Sequence, residues 1–234
     1  VALGSRSAAW QCSKYAVLCS SSRRLGPQAI PKSRQAPVTS PMTTSRIDPD
    51  ASTLEPPIER RVISWSRYPA KGFGTLWLLH GERGLLSIDF DAALAARAAG
   101  KAPEVPVPSP IGGALERYFA GERETFAEVP IELHGTAFQL SVWAALREIP
   151  YGEVATYGDI AARIGEPKAQ RAVGAANARN PLPIIIPCHR VVAHGNRLGG
   201  YTGGLTRKRF LLRREGLEVE GDVVRARQLS LFGS

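Results

Sequence analysis

Between residues 138 and 216 the apolar residues recur at helical spacing, and two of the helical segments are joined by a turn of only four residues. That arrangement limits the possible folds more than any other feature of the chain. FQLSVWAALREI carries apolar residues at 138, 140, 142, 143 and 146, one face of a helix. In IPYGEVATYGDIAARIG, Thr156 is placed to cap a second helix, Ile160, Ala161 and Ile164 are its inward positions, and Gly165 ends it. EPKA is the turn and QRAVGAANARN the following helix. Helix, short turn, helix is the outline of a helix-turn-helix.

The last of these helices is nearly smooth. Ala172, Gly174, Ala175, Ala176 and Ala178 carry almost no side-chain bulk, and Arg171 and Arg179 flank them. A glycine inside a helix costs about 1 kcal/mol relative to alanine, so Gly174 needs a compensating close approach, either to another helix or to the floor of a DNA groove. Residues 160–214 contain eleven Lys or Arg and a single acid, Glu166. Charge alone suits a solvated cationic face as well as a polyanion surface. The arginines beside the smooth stripe favour DNA. The whole-chain charge of +9 says less, because residues 1–41 hold six basic residues and no acid, and the remainder nets only +3.

The N-terminal part reads differently. Residues 1–57 are rich in Ser, Arg and Pro without periodicity and read as a disordered extension. Met42, the single methionine, opens MTTSRIDPD like an ordinary start; residues 1–41 are then upstream sequence or, alternatively, a transit peptide. RRVISWSRY, GTLWLLH and GLLSIDF are short β-rich runs of an antiparallel meander. DAALAARAAG and IGGALERYFAG read as helices, PEVPVPSP as a connector and FAEVPIEL as a last strand. The expectation is an α+β protein: a small antiparallel-sheet domain at 58–133, without a chemical motif, and a mostly helical, winged helix-turn-helix-like domain at 134–217. A tail follows at 218–234. No apolar run approaches the roughly 18 residues of a membrane span, so the chain reads as soluble, with no membrane partner.

Reactivity concentrates in PIIIPCHRVV, residues 183–192, where a buried strand-like run ends in Cys188, His189 and Arg190. Cys12 and Cys19 lie in the N-terminal extension, so Cys188 is the one cysteine of the folded part. That usage fits a reducing compartment, hence the cytoplasm, with organellar targeting by residues 1–41 as the alternative. A cysteine attacks as thiolate and needs help from a free pKa near 8.5. His189 is adjacent and could act through a bridging water. Glu215 is the only acid between 167 and 217 and could orient that histidine. A buried cysteine filling the core is the competing reading. A Cys–His hydrolase would hold its base at a distance in sequence. Metal binding is poorly supported, since His80, His134 and His194 show no ligand spacing; neither metal nor cofactor is expected.

ARNPLPIIIPCHRVV, with IPYGEVATYGDIA and QRAVGAANARNP upstream and NRLGGYTGGLTRKRFLLRREG downstream, closely resembles the O6-alkylguanine-DNA alkyltransferases. The resemblance is dense over 136–217, looser over 58–133 and absent from 1–41. It implies a repair protein that flips an alkylated guanine out of double-stranded DNA and transfers the alkyl group irreversibly to one cysteine. It implies Cys188 as acceptor, His189 as base through a water, and Glu215 as its orienter. Asn180 would brace the turn before the active-site run, and Tyr157 would donate a proton to the guanine ring. The carbonyl of Val191 would accept from the exocyclic amine; Pro183, Tyr201, Thr202 and Lys208 belong to the pocket. On the DNA side, Arg171 would replace the flipped base in the stack, with Ala172, Gly174, Ala175, Arg179 and Thr156 against the minor groove. A monomer is implied. Departures are modest: Ala-Ala-Asn at 175–177 puts fine contacts in doubt, and the zinc site of some relatives is absent. Alkyltransferase-like proteins, which bind lesions without an acceptor cysteine, are the alternative class.

The chain also contains QLSLF, in which Gln228, Leu229, Leu231 and Phe232 resemble the short peptide that docks on the bacterial replication sliding clamp. The competing reading is that these apolar residues fold back onto the protein itself.

Overall fold

A computed structural model describes residues 61–225. The expectations for residues 1–57, for Met42, Cys12 and Cys19, and for QLSLF lie outside the described residues.

Strands β1 (Ser64–Ala70), β2 (Gly74–His80) and β3 (Leu85–Asp89) form an antiparallel sheet in that order. β2 reads LWLL rather than alternating because both faces are covered. Leu76 and Leu78 enter the main core, whereas Leu79 packs with Ala95 and Ala99 of α1 (Ala92–Ala99), beside Trp65 and Trp77. Asp91 caps α1 by accepting from the amides of Ala93 and Leu94. The proline-rich connector runs along the free edge of β1: the Val105 amide donates to Trp65 O, and Trp65 Nε1 to Ala102 O. It leads into α2 (Ser109–Ala120).

FAEVPIEL is not a strand. It meets the sheet through one bridge, Leu85 to Ile131. Pro130 has no N–H to donate, and Phe126 sits at φ 56°. Its hydrophobicity reflects burial instead, of Phe126 and Val129.

The C-terminal part is built on α3 (Ala137–Arg147), α4 (Tyr157–Arg163) and α5 (Gln170–Ala178), which pack on one another, followed by α6 (Leu205–Arg214). Thr136 and Gln139 form a capping box on α3, and Thr156 and Asp159 form one on α4. β4 (Ala155–Thr156) pairs in parallel with β5 (Val191–Val192). Residues 218–225, expected to open a tail, instead form the hairpin β6 (Glu218–Glu220) and β7 (Val223–Arg225). Val219 and Val224 point inward there and join Val154, Val192, Leu198, Leu212 and Leu217 in a second buried cluster.

The strand-like run before Cys188 is also corrected. Its isoleucines are buried, but Pro181, Pro183 and Pro187 remove three backbone donors. The chain turns between Pro183 and Ile186, with Ile184 at φ 80°, and Cys188–Arg190 form a single 3₁₀ turn. One core cluster joins both halves of the described chain, from Leu76 and Tyr118 to Val142, Ile186, Cys188 and Leu211. Among the described residues no helix is long and apolar enough to cross a membrane.

Candidate active site

Cys188 is 2% exposed, and its amide donates to Ile186 O at 2.7 Å. Asn180 holds the preceding turn from both ends: Nδ2 donates to Ile186 O at 2.8 Å, and Oδ1 accepts from the Leu182 amide at 3.0 Å. Pro183 lies inside that turn. Burial pushes the Cys188 thiol up to about 11, against smaller opposing effects of a hydrogen bond from Asn180 and the charge of Lys208. At rest the sulfur is therefore a neutral thiol.

Lys208 is fully buried; its Nζ donates to the carbonyls of Val191 at 2.6 Å, Leu198 and Gly200 at 3.3 Å. Three carbonyls satisfy the three donors of an ammonium. Burial pulls the amine down to about 8, opposed by the nearby Cys188. The Val191 carbonyl, expected to face the substrate, thus also accepts from Lys208.

His189 has no exposed surface, and its Nε2 lies 2.7 Å from Glu215 Oε1. Burial lowers the histidine, with Glu215 opposing and Arg190 and Lys208 reinforcing. Burial would raise Glu215, but His189 and Arg190 outweigh it and hold the carboxyl well below its usual range. An ionised Glu215 can only accept, so Nε2 carries the proton and Nδ1 presents its lone pair. Nδ1 is buried and has no hydrogen-bond partner among the described residues. That is the geometry of an oriented general base.

Two members of this network had escaped sequence reasoning. Arg190, 6% exposed, clasps both oxygens of Glu215 through Nε (2.8 Å) and Nη2 (2.9 Å), while Nη1 donates to Ile149 O. Its place in the same CHR turn was the available signal. Tyr118 Oη donates to Glu215 Oε1 at 2.9 Å from α2, 97 residues away, and nothing local marked it.

The remaining pocket and groove residues fall into two groups. Tyr157, first residue of α4, is raised by burial and by Cys188, which puts its phenol within electrostatic reach of the sulfur. Tyr201 is raised well above its usual value by burial and Cys188, and its hydroxyl has no partner among the described residues. Thr202 Oγ1 donates to Ala178 O, tying this loop to the end of α5. On α5, Arg171, Ala172, Ala175 and Arg179 are exposed and Gly174 is half-buried. Ala176 leaves the expected smooth stripe; it is buried, and its carbonyl accepts from Trp143 Nε1 at 3.0 Å. A cavity of about 380 Å³ opens beside the helix, walled in part by Tyr157, Arg171, Gly174 and His194. Thr156 lines it too, but its hydroxyl is committed to capping α4. Cys188 and the Glu215-bound His189 thus share one 3₁₀ turn, Tyr157 feels the charge of Cys188, and α5 presents Arg171, Ala172 and Ala175 to solvent.

Residues 137–217 match the family model for the DNA-binding domain of 6-O-methylguanine DNA methyltransferase, and residues 67–133 match that for its ribonuclease-like domain. The methylated-DNA–protein-cysteine methyltransferase of Haemophilus influenzae is 46% identical over 155 residues, spanning 65% of this chain and 86% of that one. Its namesake from Mycobacterium tuberculosis is 50% identical over 121 residues, 50% of this chain and 73% of that one. Among solved structures, Mycobacterium tuberculosis OGT in complex with DNA matches with a TM-score of 0.59 at 41% identity, over 65% of this chain and 92% of that one. Both halves of the described fold are matched, and the chain belongs to the 6-O-methylguanine DNA methyltransferase family.

Proposed function

We propose that the protein repairs DNA by transferring the alkyl group of O6-alkylguanine irreversibly to Cys188, each molecule acting once. The observation that carries this reading is the buried thiol beside His189, whose Nε2 is fixed on Glu215 so that Nδ1 is free to take a proton. The thiol proton passes through a water to His189 Nδ1. Sulfur attacks the alkyl carbon; the S–C bond forms and the C–O6 bond breaks, leaving the electron pair on guanine. The ring takes a proton from Tyr157, and exchange with solvent restores both residues. Net, thiol and alkylguanine become thioether and guanine.

The base must leave the duplex to reach a buried sulfur. Arg171 fills the vacated place, and the exposed small residues of α5 let the helix lie deep in the minor groove. Val191, Pro183, Tyr201, Thr202 and Lys208 shape the pocket. Intact mass after mixing with a duplex carrying one O6-methylguanine tests the reading. One methyl-sized gain, mapped to Cys188 and absent from Cys188→Ser, is expected. Lesion binding by both proteins with no gain would make the chain a non-enzymatic lesion binder.

Three further features complete the proposal. The protein acts as a monomer; it works in the cytoplasm, where Cys188 stays reduced; and QLSLF docks on a replication sliding clamp. A peptide covering residues 224–234 should bind such a clamp, and no binding at high micromolar concentration would remove that last element.

A further inference from the structure

Glu215 is surrounded by five donors. Oε1 receives Tyr118 Oη at 2.9 Å, His189 Nε2 at 2.7 Å and Arg190 Nη2 at 2.9 Å; Oε2 receives Arg190 Nε at 2.8 Å and the Gly152 amide at 3.2 Å. A carboxylate offers about four lone-pair sites, so this one is saturated and its donors compete. Four of the five come from the catalytic half of the chain. The fifth, Tyr118, comes from α2 of the ribonuclease-like half, which otherwise brings no side chain into the hydrogen bonds of the His189–Glu215 pair described here.

Tyr118 is held with little freedom. It is fully buried and packs edge-on against Phe119 and Tyr151, with Phe126 at 5.5 Å. A buried phenol needs a partner for its hydroxyl, and here that partner is the oxygen that orients the catalytic base. Resting on the alkyl-transfer reading above, we propose that Tyr118 is a positioning residue of the reaction: its hydroxyl shares Glu215 Oε1 with His189, and so holds the imidazole oriented and neutral with Nδ1 free.

The physical basis is competition for one charge. Every donor on Glu215 disperses its negative charge and weakens its pull on an imidazolium. Arg190 and Lys208 face the same histidine and also disfavour its cation. Tyr151, with Arg214 behind it, and Tyr118 itself feel the carboxylate in turn. Removing the Tyr118 hydroxyl leaves Glu215 ionised and still held by Arg190 and Gly152, but concentrates more of its charge on His189. The histidine then keeps its proton to higher pH and is a base over a narrower range.

Single-turnover transfer from an O6-methylguanine duplex, measured from pH 5.5 to 9 on wild type and Tyr118→Phe, tests this. A shift of about half to one pH unit corresponds to the loss of one hydrogen bond. The acid limb of the variant should therefore move upward by that amount. The loss should be about 3- to 10-fold on the limb and less than 2-fold at the alkaline plateau. A purely structural role would lower stability and leave the limb in place, so coincident limbs overturn the proposal. Replacing Tyr118 with 3-fluorotyrosine, a stronger donor of nearly the same shape, should move the limb the other way and covers the case in which Tyr118→Phe folds poorly. The NMR titration of the His189 ring reads the same shift without turnover. If wild type transfers no methyl group, the alkyl-transfer reading fails; this titration still decides whether Tyr118 tunes His189.

Discussion

Burial protects Cys188 from adventitious chemistry as much as it positions the thiol for attack. With the thiol pushed up to about 11, only about one molecule in ten thousand is thiolate at pH 7, against a few per cent for a free cysteine. Iodoacetamide should therefore alkylate Cys188 at least 100-fold more slowly than a small-molecule thiol at pH 7, read by mass spectrometry. A comparable rate would mean that the buried thiol ionises as readily as a free one. Glu215 supplies the complementary prediction. Its carboxyl is depressed in the folded protein, so its stabilisation is present above the unfolded value of about 4.3 and is lost as pH falls below it. Glu215→Gln leaves Arg190 buried against a neutral amide and should cost about 3–5 kcal/mol at pH 7. In urea unfolding that gap should narrow steadily once pH drops below about 4. A gap independent of pH would show that the destabilisation comes from packing and not from the lost charge.

At the scale of the element, α5 sets stability against function. A Cβ added at Gly174 would meet only the Tyr157 ring at 3.8 Å, an ordinary contact, and the backbone there is not left-handed. Gly174→Ala should therefore stabilise the protein by about 0.5–1 kcal/mol through helix propensity. On the DNA-binding reading proposed above, it should also weaken capture of duplex lesions several-fold, because the added methyl enters the cavity that Arg171 also lines, while reaction with the free alkylated base changes less. Equal losses on both substrates would move Gly174 from the DNA face to the pocket. Most of the helices, the Thr156 cap and the short turn before α5 were legible because each is written locally; the caps at Asp91 and Thr136 went unread. Two segments misled for one reason. FAEVPIEL and PIIIPC are apolar because they are buried, and hydrophobicity alone cannot separate a buried strand from a buried turn; their prolines held the discriminating information. Cys188, His189 and Glu215 were legible from residue chemistry and family resemblance. Tyr118 was not, because its role arises only from packing across 97 residues.

For the whole described molecule, the two family-matched halves share one interior. The Ile88 amide donates to Pro181 O at 2.9 Å, Phe73 and Phe210 lie 5.4 Å apart, and Tyr118 reaches Glu215, all across the boundary near residue 133. Contacts this buried are unlike the polar interfaces of domains that move independently. The sheet of the first half is therefore the back wall of the catalytic half, and it should not unfold alone. In a Trp10→Phe, Trp143→Phe double variant, the remaining indoles, Trp65 and Trp77, report on the sheet. Far-ultraviolet circular dichroism reports chiefly on the helices, most of which lie beyond residue 133. Urea should give one transition, with the two signals coincident to within about 0.2 M, as two-state behaviour requires. If the indoles moved first, the first half would be a separately melting domain, and Tyr118 would be delivered to Glu215 only part of the time. Coincidence would mean that whatever loosens the sheet also frees the base that activates Cys188.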